Sequence, residues 1–208
     1  MRDEGTIKFK AEYIFGRPFQ GPGISQLVEA RNQLFDLGLI GVYDDGISFG
    51  NLSIRRRDPD GGPSGFYITG TQTGYLERVD ETHIAFADQC DISANSLRST
   101  GPIQASSEAM THYMIYTLDD RIQAVVHVHS SAMWTYWMSR APTTGEDVPY
   151  GTPAMADAVE AIVLAENRPE GFLVMAGHED GVLSYGPTLN RAMGIILERN
   201  RLAHQNGG

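Results

Sequence analysis

Residues 122–130 read IQAVVHVHS, and their alternation constrains the fold more than any other stretch of the chain. A strand repeats its side-chain direction every two residues, so Val126 and Val128 point into one layer while His127 and His129 share the opposite face. The flanking segments carry the helical period. Residues 152–167 begin with Thr152 as cap and Pro153 at the first helical position, and place Met155, Ala158, Val159, Ile162 and Val163 on one face. Residues 188–203 do the same with Leu189, Ala192, Met193, Ile196 and Leu197.

The rest of the chain continues this interleaving. A helix opens at Ser25, with Leu27, Val28, Leu34 and Phe35 on one face and Gly38 or Gly41 as its stop. Residues 47–55 read as a strand or hairpin arm, 58–65 (DPDGGPSG) as a turn, and 66–69 as a second short strand entering the loop TGTQTG. Residues 85–105 are weakly patterned and yield only short strands. Ser106 or Ser107 is placed to cap a helix running to about residue 117, and 172–175 and 181–186 read as two further strands. Helices alternating with strands predict an α/β/α layered architecture. Residues 1–23 mix charges with Gly and Pro and read as an arm lying on the body or on a neighbouring subunit; residues 24–208 read as a single domain, a length sufficient for a full core.

Charge narrows the function classes. Sixteen basic against 26 acidic residues give a net charge of −10, the wrong sign for a nucleic-acid or anionic-lipid binder, so no nucleic-acid or membrane partner is expected. No run approaches the ~18 consecutive apolar residues of a membrane helix. The N-terminus shows no secretory pattern, and a cytoplasmic protein is the expectation. Cys90 is the one cysteine, which excludes an internal disulfide and a cysteine-rich zinc site. Six histidines remain as the chemically notable group.

His127 and His129 converge as two neutral nitrogens at a spacing that one metal ion can bridge, although strand histidines are also found simply hydrogen-bonded. His178 follows an apolar strand in the Gly-flanked loop AGHEDG, where strand-end loops deliver side chains to sites and where surface turns also occur. Ser106, Ser107 and Glu108 open a helix. They offer hydroxyls and free backbone N–H groups to an anion, and equally satisfy the needs of a capped helix start. The GNLS and TGTQTG loops share this ambiguity, because hydroxyl-bearing glycine turns can cradle phosphate or simply reverse the chain.

In order along the chain, GNLSIR at 50–55, ITGTQTG at 68–74, SSE at 106–108, VVHVHS at 125–130 and His178 together resemble the class II aldolase/adducin family, over about residues 24–204 and most closely in its fuculose-phosphate aldolase branch. The resemblance implies a three-layer α/β/α fold around a central, mainly antiparallel sheet. It implies His127, His129 and His178 as ligands of Zn(2+), with Mn(2+) or Co(2+) as alternatives, and Glu108 as general acid/base. It implies Asn51, Thr73, Gly74, Ser106 and Ser107 as the groups holding a substrate phosphate, with Thr71 as the alternative to Thr73. Retro-aldol cleavage of a ketose 1-phosphate to dihydroxyacetone phosphate and an aldehyde, by a cyclic tetramer with sites at subunit interfaces, is the implied activity. The family also performs sugar-phosphate dehydration, epimerisation and decarboxylation, and its adducin-like branch binds without catalysis. Glu108 argues against the epimerase type, which carries aspartate at that point. The stretch 130–149 is shorter than in the aldolases, and Tyr150 or Tyr75 is the candidate for the distal proton donor.

Overall fold

The computed structural model describes residues 6–57 and 63–207. In chain order the elements are β1 (Lys10–Phe15), α1 (Pro22–Asp36), β2 (Gly41–Val42), β3 (Ser48–Phe49), β4 (Asn51–Arg57), β5 (Pro63–Thr69), β6 (Ile84–Asp91), β7 (Ser96–Gly101), α2 (Ala109–Leu118), β8 (Ala124–His129), α3 (Ser131–Trp137), α4 (Pro153–Glu166), β9 (Gly171–Val174), β10 (Gly181–Gly186) and α5 (Leu189–Asn206). Eight strands form one sheet in the order β1-β7-β6-β5-β4-β8-β10-β9, and β2 pairs with β3 as a separate small hairpin. Every neighbour in the large sheet is antiparallel except β1 against β7.

Two apolar layers cover this sheet, and β8 divides its side chains between them. Val126 and Val128 join Leu27 and Leu34 of α1, Met133 of α3 and Ile196 of α5 on one face. Val125 joins Met110 and Ile115 of α2 and Met155 and Val159 of α4 on the other. Burying each of these side chains contributes about 1.5–3 kcal/mol of transfer free energy. The period of two puts His127 and His129 on the Val125 side, at the end of the α2/α4 layer.

Several boundaries differ from the sequence expectation for local reasons. α1 starts at Pro22, with Gly21 at φ +123° as its N-cap, so Ser25 lies inside the helix and its hydroxyl turns back to the Gly21 carbonyl. The strand expected over 47–55 is broken by Gly50 at φ +79°, where a Cβ would lie 2.7 Å from Ile40 Cγ1 and 3.2 Å from the Leu39 carbonyl oxygen. That break separates β3 from β4. Part of the expected turn, 58–62, lies outside the described residues, while 63–65 already belong to β5. Residues 85–105 hold two long paired strands, β6 and β7, whose sequences lack clean alternation because β6 is buried on both faces over its first four residues. α2 begins at Ala109 with Glu108 at the cap, and Ser106 Oγ accepts the Glu108 N–H (3.3 Å) within the preceding turn. The expected arm contributes β1, the edge strand beside β7. α3 was not visible in the sequence pattern; Ser130 caps it by accepting the Met133 N–H at 3.2 Å. Among the described residues no helix is long and apolar enough to cross a membrane.

Beneath the α2 layer, Ser53 Oγ bridges His112 Nδ1 (2.7 Å) and Tyr116 Oη (2.8 Å), all fully buried or nearly so. Burial, and then the neighbouring His127, hold His112 well below its ordinary 6.5, so the folded protein keeps it neutral. The unfolded chain takes up that proton first, and stability therefore falls as the pH drops below about 6.5. Thermal melts in chelator from pH 7.5 to 5 should show a progressive loss of melting temperature. A flat profile would contradict a neutral buried His112.

Candidate metal and anion site

A narrow cleft lies where the ends of β4, β5 and β8 meet the start of α2. Two of its histidines come from β8, which is paired on both sides: Asn51 of β4 stands opposite His127, as does Leu183 of β10. A strand tied along both edges leaves its side chains few ways to move. His178 arrives from the turn after β9, closed by the hydrogen bonds His178 N–H to Met175 O (3.0 Å) and Gly181 N–H to His178 O (2.9 Å).

The three imidazoles are buried and each brings one ring nitrogen within 4.8 Å of the other two. His127 Nδ1 donates to the Val182 carbonyl at 3.1 Å, which leaves Nε2 as its acceptor nitrogen. His129 Nδ1 lies 2.7 Å from Tyr43 Oη, and Tyr43 donates to Asp180 Oδ2 at 3.3 Å. Since the carboxylate accepts only, the order His129 Nδ1–H to Tyr43 to Asp180 turns the His129 Nε2 lone pair toward His127 Nε2, 3.0 Å away. Two lone pairs this close repel unless a cation sits beside them. The spacing is near the roughly 3.3 Å edge of a tetrahedral site with metal–nitrogen bonds of about 2.0–2.1 Å, so the donor set fits a divalent metal. Burial holds His127 down at about 4, opposed by its bond to Val182, and holds His178 well below 6.5, so these imidazoles stay neutral at physiological pH. Neutral imidazole is the form that binds a metal.

Aromatic rings fix the cluster from outside. Phe49 stacks on His129 at 5.2 Å, and Tyr150 stacks on His178 at 4.6 Å and 23°. Glu108, 3% exposed, places Oε1 3.8 Å from His178 Nδ1.

The remaining wall is built from neutral groups. Asn51 is buried, and its Oδ1 accepts no hydrogen bond from the described residues. Ser106 and Ser107 are buried beside Glu108. Thr73 Oγ1 donates to the Gly70 carbonyl (3.0 Å), and Gly74 N–H donates to Ser48 Oγ (3.1 Å). Only glycine fits at 74, because a Cβ there would lie 1.9 Å from the Gly41 carbonyl oxygen. All nine residues singled out in the sequence for metal, acid/base or phosphate roles line this one cleft. Thr71 and Thr73 both reach it, as does Tyr150, whereas Tyr75 is 64% exposed and lies outside. Ser48 and Phe49 line it too and carried no sequence signal of their own, while Gln72 lines it from within the TGTQTG loop. Tyr43 sits in an unremarkable YDDG turn, while Asp180 is legible only as a neighbour of His178.

The family described as class II aldolase and adducin N-terminal domain matches residues 25–206. No curated protein matches by sequence. Among solved structures, L-fuculose-1-phosphate aldolase from Thermus thermophilus superposes with a TM-score of 0.63 at 19% identity, covering 86% of this chain and 90% of that one. YgbL from Escherichia coli, a putative aldolase/epimerase/decarboxylase, gives 0.63 at 17%, covering 88% and 86%. The sugar-phosphate aldolase of Thermotoga maritima gives 0.63 at 16%, covering 88% and 92%. At these identities the structural likeness is one of fold, a mixed α/β arrangement with a large central sheet flanked by helices. With the family match spanning most of its length, the chain belongs to the class II aldolase/adducin family.

Proposed function

We propose that this protein is a divalent-metal-dependent lyase that cleaves a ketose 1-phosphate to dihydroxyacetone phosphate and an aldehyde. One observation carries the reading: three buried neutral imidazoles and the buried Glu108 carboxylate converge in a cleft whose other wall consists of neutral hydrogen-bonding groups. His127, His129 and His178 would hold the cation, zinc in the first instance and manganese or cobalt otherwise. When bound, that cation supplies the Lewis acidity that draws off charge as a carbon–carbon bond breaks.

The chain's own residues do the rest. Glu108 holds the proton that passes to and from the reacting carbon, within reach of the histidine cluster. Ser106, Ser107 and the Thr73–Gly74 turn orient the phosphate, which fixes the carbon that faces Glu108. Asn51 offers its NH₂ to a phosphoryl oxygen and keeps Oδ1 for a substrate hydroxyl. Tyr150 is assigned to serve the departing aldehyde, a reading supported by its stacking on His178. A homotetramer with its sites at subunit boundaries belongs to the same proposal, and Ile14 and Phe15 of β1 are exposed apolar surface that subunit contacts would cover.

Protein purified without chelator should contain one equivalent of divalent metal per chain by elemental analysis, and His127→Ala should contain essentially none. Tyr43→Phe, which removes the hydroxyl that orients His129, should weaken metal binding about 10–100-fold. Wild-type protein without stoichiometric metal would overturn the metal assignment.

Glu108→Gln should retain metal while lowering kcat about 10²–10⁴-fold, as expected for removal of a general acid/base. A panel of ketose 1-phosphates with coupled detection of dihydroxyacetone phosphate tests the reaction itself. Turnover of none, with metal bound, would exclude the aldol reading in favour of dehydration or decarboxylation.

A further inference from the structure

Among the described residues no lysine or arginine lines the cleft itself, Lys8 standing at its rim with Nζ 4.0 Å over the Tyr150 ring, and the chain carries a net charge of −10, yet the proposed substrate bears a phosphate. A positive charge does stand behind the wall. Arg31 of α1 is 1% exposed, and its Nη2 donates to the Thr73 carbonyl at 2.6 Å while Nη1 donates to the Glu77 carbonyl at 3.3 Å. Asn32 grips the same loop, exchanging hydrogen bonds with the Val79 backbone at 3.0 and 3.2 Å. Arg31 Nε meets no acceptor, and no carboxylate lies within ion-pairing distance of the guanidinium among the described residues. Asp36, the acid whose charge reaches it, is engaged with Arg78 at 2.8 Å. Burial lowers Arg31 to about 10, and it remains a cation at neutral pH.

A buried charge without a counter-charge costs several kcal/mol, and a neutral amide would hold the Thr73 carbonyl without that cost. The hydrogen-bond directions show where the charge is felt. The Thr73 carbonyl points at Arg31, so the trans peptide sends the Gly74 N–H the opposite way, onto Ser48 Oγ. Ser48 lines the cleft, and having accepted from Gly74 it keeps its own proton to donate. Each bond in such a chain polarises the next.

We propose that Arg31 is the counter-charge of the anion subsite, acting through the Thr73–Gly74 peptide and the Ser48 hydroxyl, and that it favours a dianionic phosphoryl group over a neutral one. This rests on the phosphate reading above. Arg31 is a positioning residue that does not itself touch the substrate, and Ser48 is an additional contact to the phosphoryl oxygens.

The test is calorimetric titration of the metal-loaded protein with inorganic phosphate at low salt. Arg31→Gln keeps a donor for the Thr73 carbonyl and removes the charge; it should weaken phosphate binding about tenfold, the loss of one charge-assisted contact. Arg31→Lys keeps the charge and should stay within about threefold of wild type, a rescue that a merely structural role does not produce. Arg31→Gln binding phosphate as wild type does would overturn the proposal while leaving the phosphate reading intact. Wild-type protein that binds no phosphate would remove both. Should Arg31→Gln fail to fold, Ser48→Ala decides: a loss of about tenfold supports the chain of bonds, and wild-type affinity overturns it.

Discussion

The structure depends on β8 being hydrogen-bonded along both edges, to β4 on one side and β10 on the other. That pairing satisfies the strand's backbone groups and lets its side chains alternate strictly, valines into one apolar layer and imidazoles toward the cleft. Were β8 an edge strand, His127 and His129 could splay apart. Held centrally, they bring their Nε2 atoms to 3.0 Å, and His178, from the turn between β9 and β10, completes the cluster. The site is a consequence of sheet order before it is a consequence of side-chain chemistry.

Its polarity is kept affordable by directed hydrogen bonds. His127 is anchored by a backbone carbonyl of β10, and His129 by Tyr43 from the small hairpin and, through it, Asp180. Asp180 adopts φ +65°, a left-handed conformation that aspartate tolerates better than most residues, and its carbonyl also accepts the Ser130 N–H at 2.9 Å. One strained residue thus ties the His178 turn to the end of β8 and to the start of α3. The lone cysteine stands apart from all this: burial pushes the Cys90 thiol up, away from nucleophilic reactivity.

Much of this was legible in the chain because it obeys local rules. The VVHVHS alternation and the Thr152 cap with Pro153 behind it are each written in a few consecutive residues. The nine residues that line the cleft together were picked out through ordered motifs, none of which was decisive alone. What escaped depends on partners distant in sequence. β6 and β7 lack alternation because β6 is covered on both faces over its first half, α3 is only seven residues long, and β1 is recognisable as a strand only once β7 lies beside it. Arg31 reads as an ordinary helix-surface arginine until the loop 42 residues later folds over it. Its burial is a tertiary fact.

The sheet order also has a consequence for synthesis. β8 lies between strands drawn from residues 51–57 and 181–186, and the cleft takes groups from 48 through 178. Contacts so far apart along the chain are slow to close and form late. A ribosome-bound chain lacking β10 has one edge of β8 unpaired and an open flank beside His127, a surface that invites strand addition from elsewhere. The last strand to emerge therefore both finishes the sheet and removes the hazard, so the nascent protein is most in need of a chaperone just before its histidine cluster first exists.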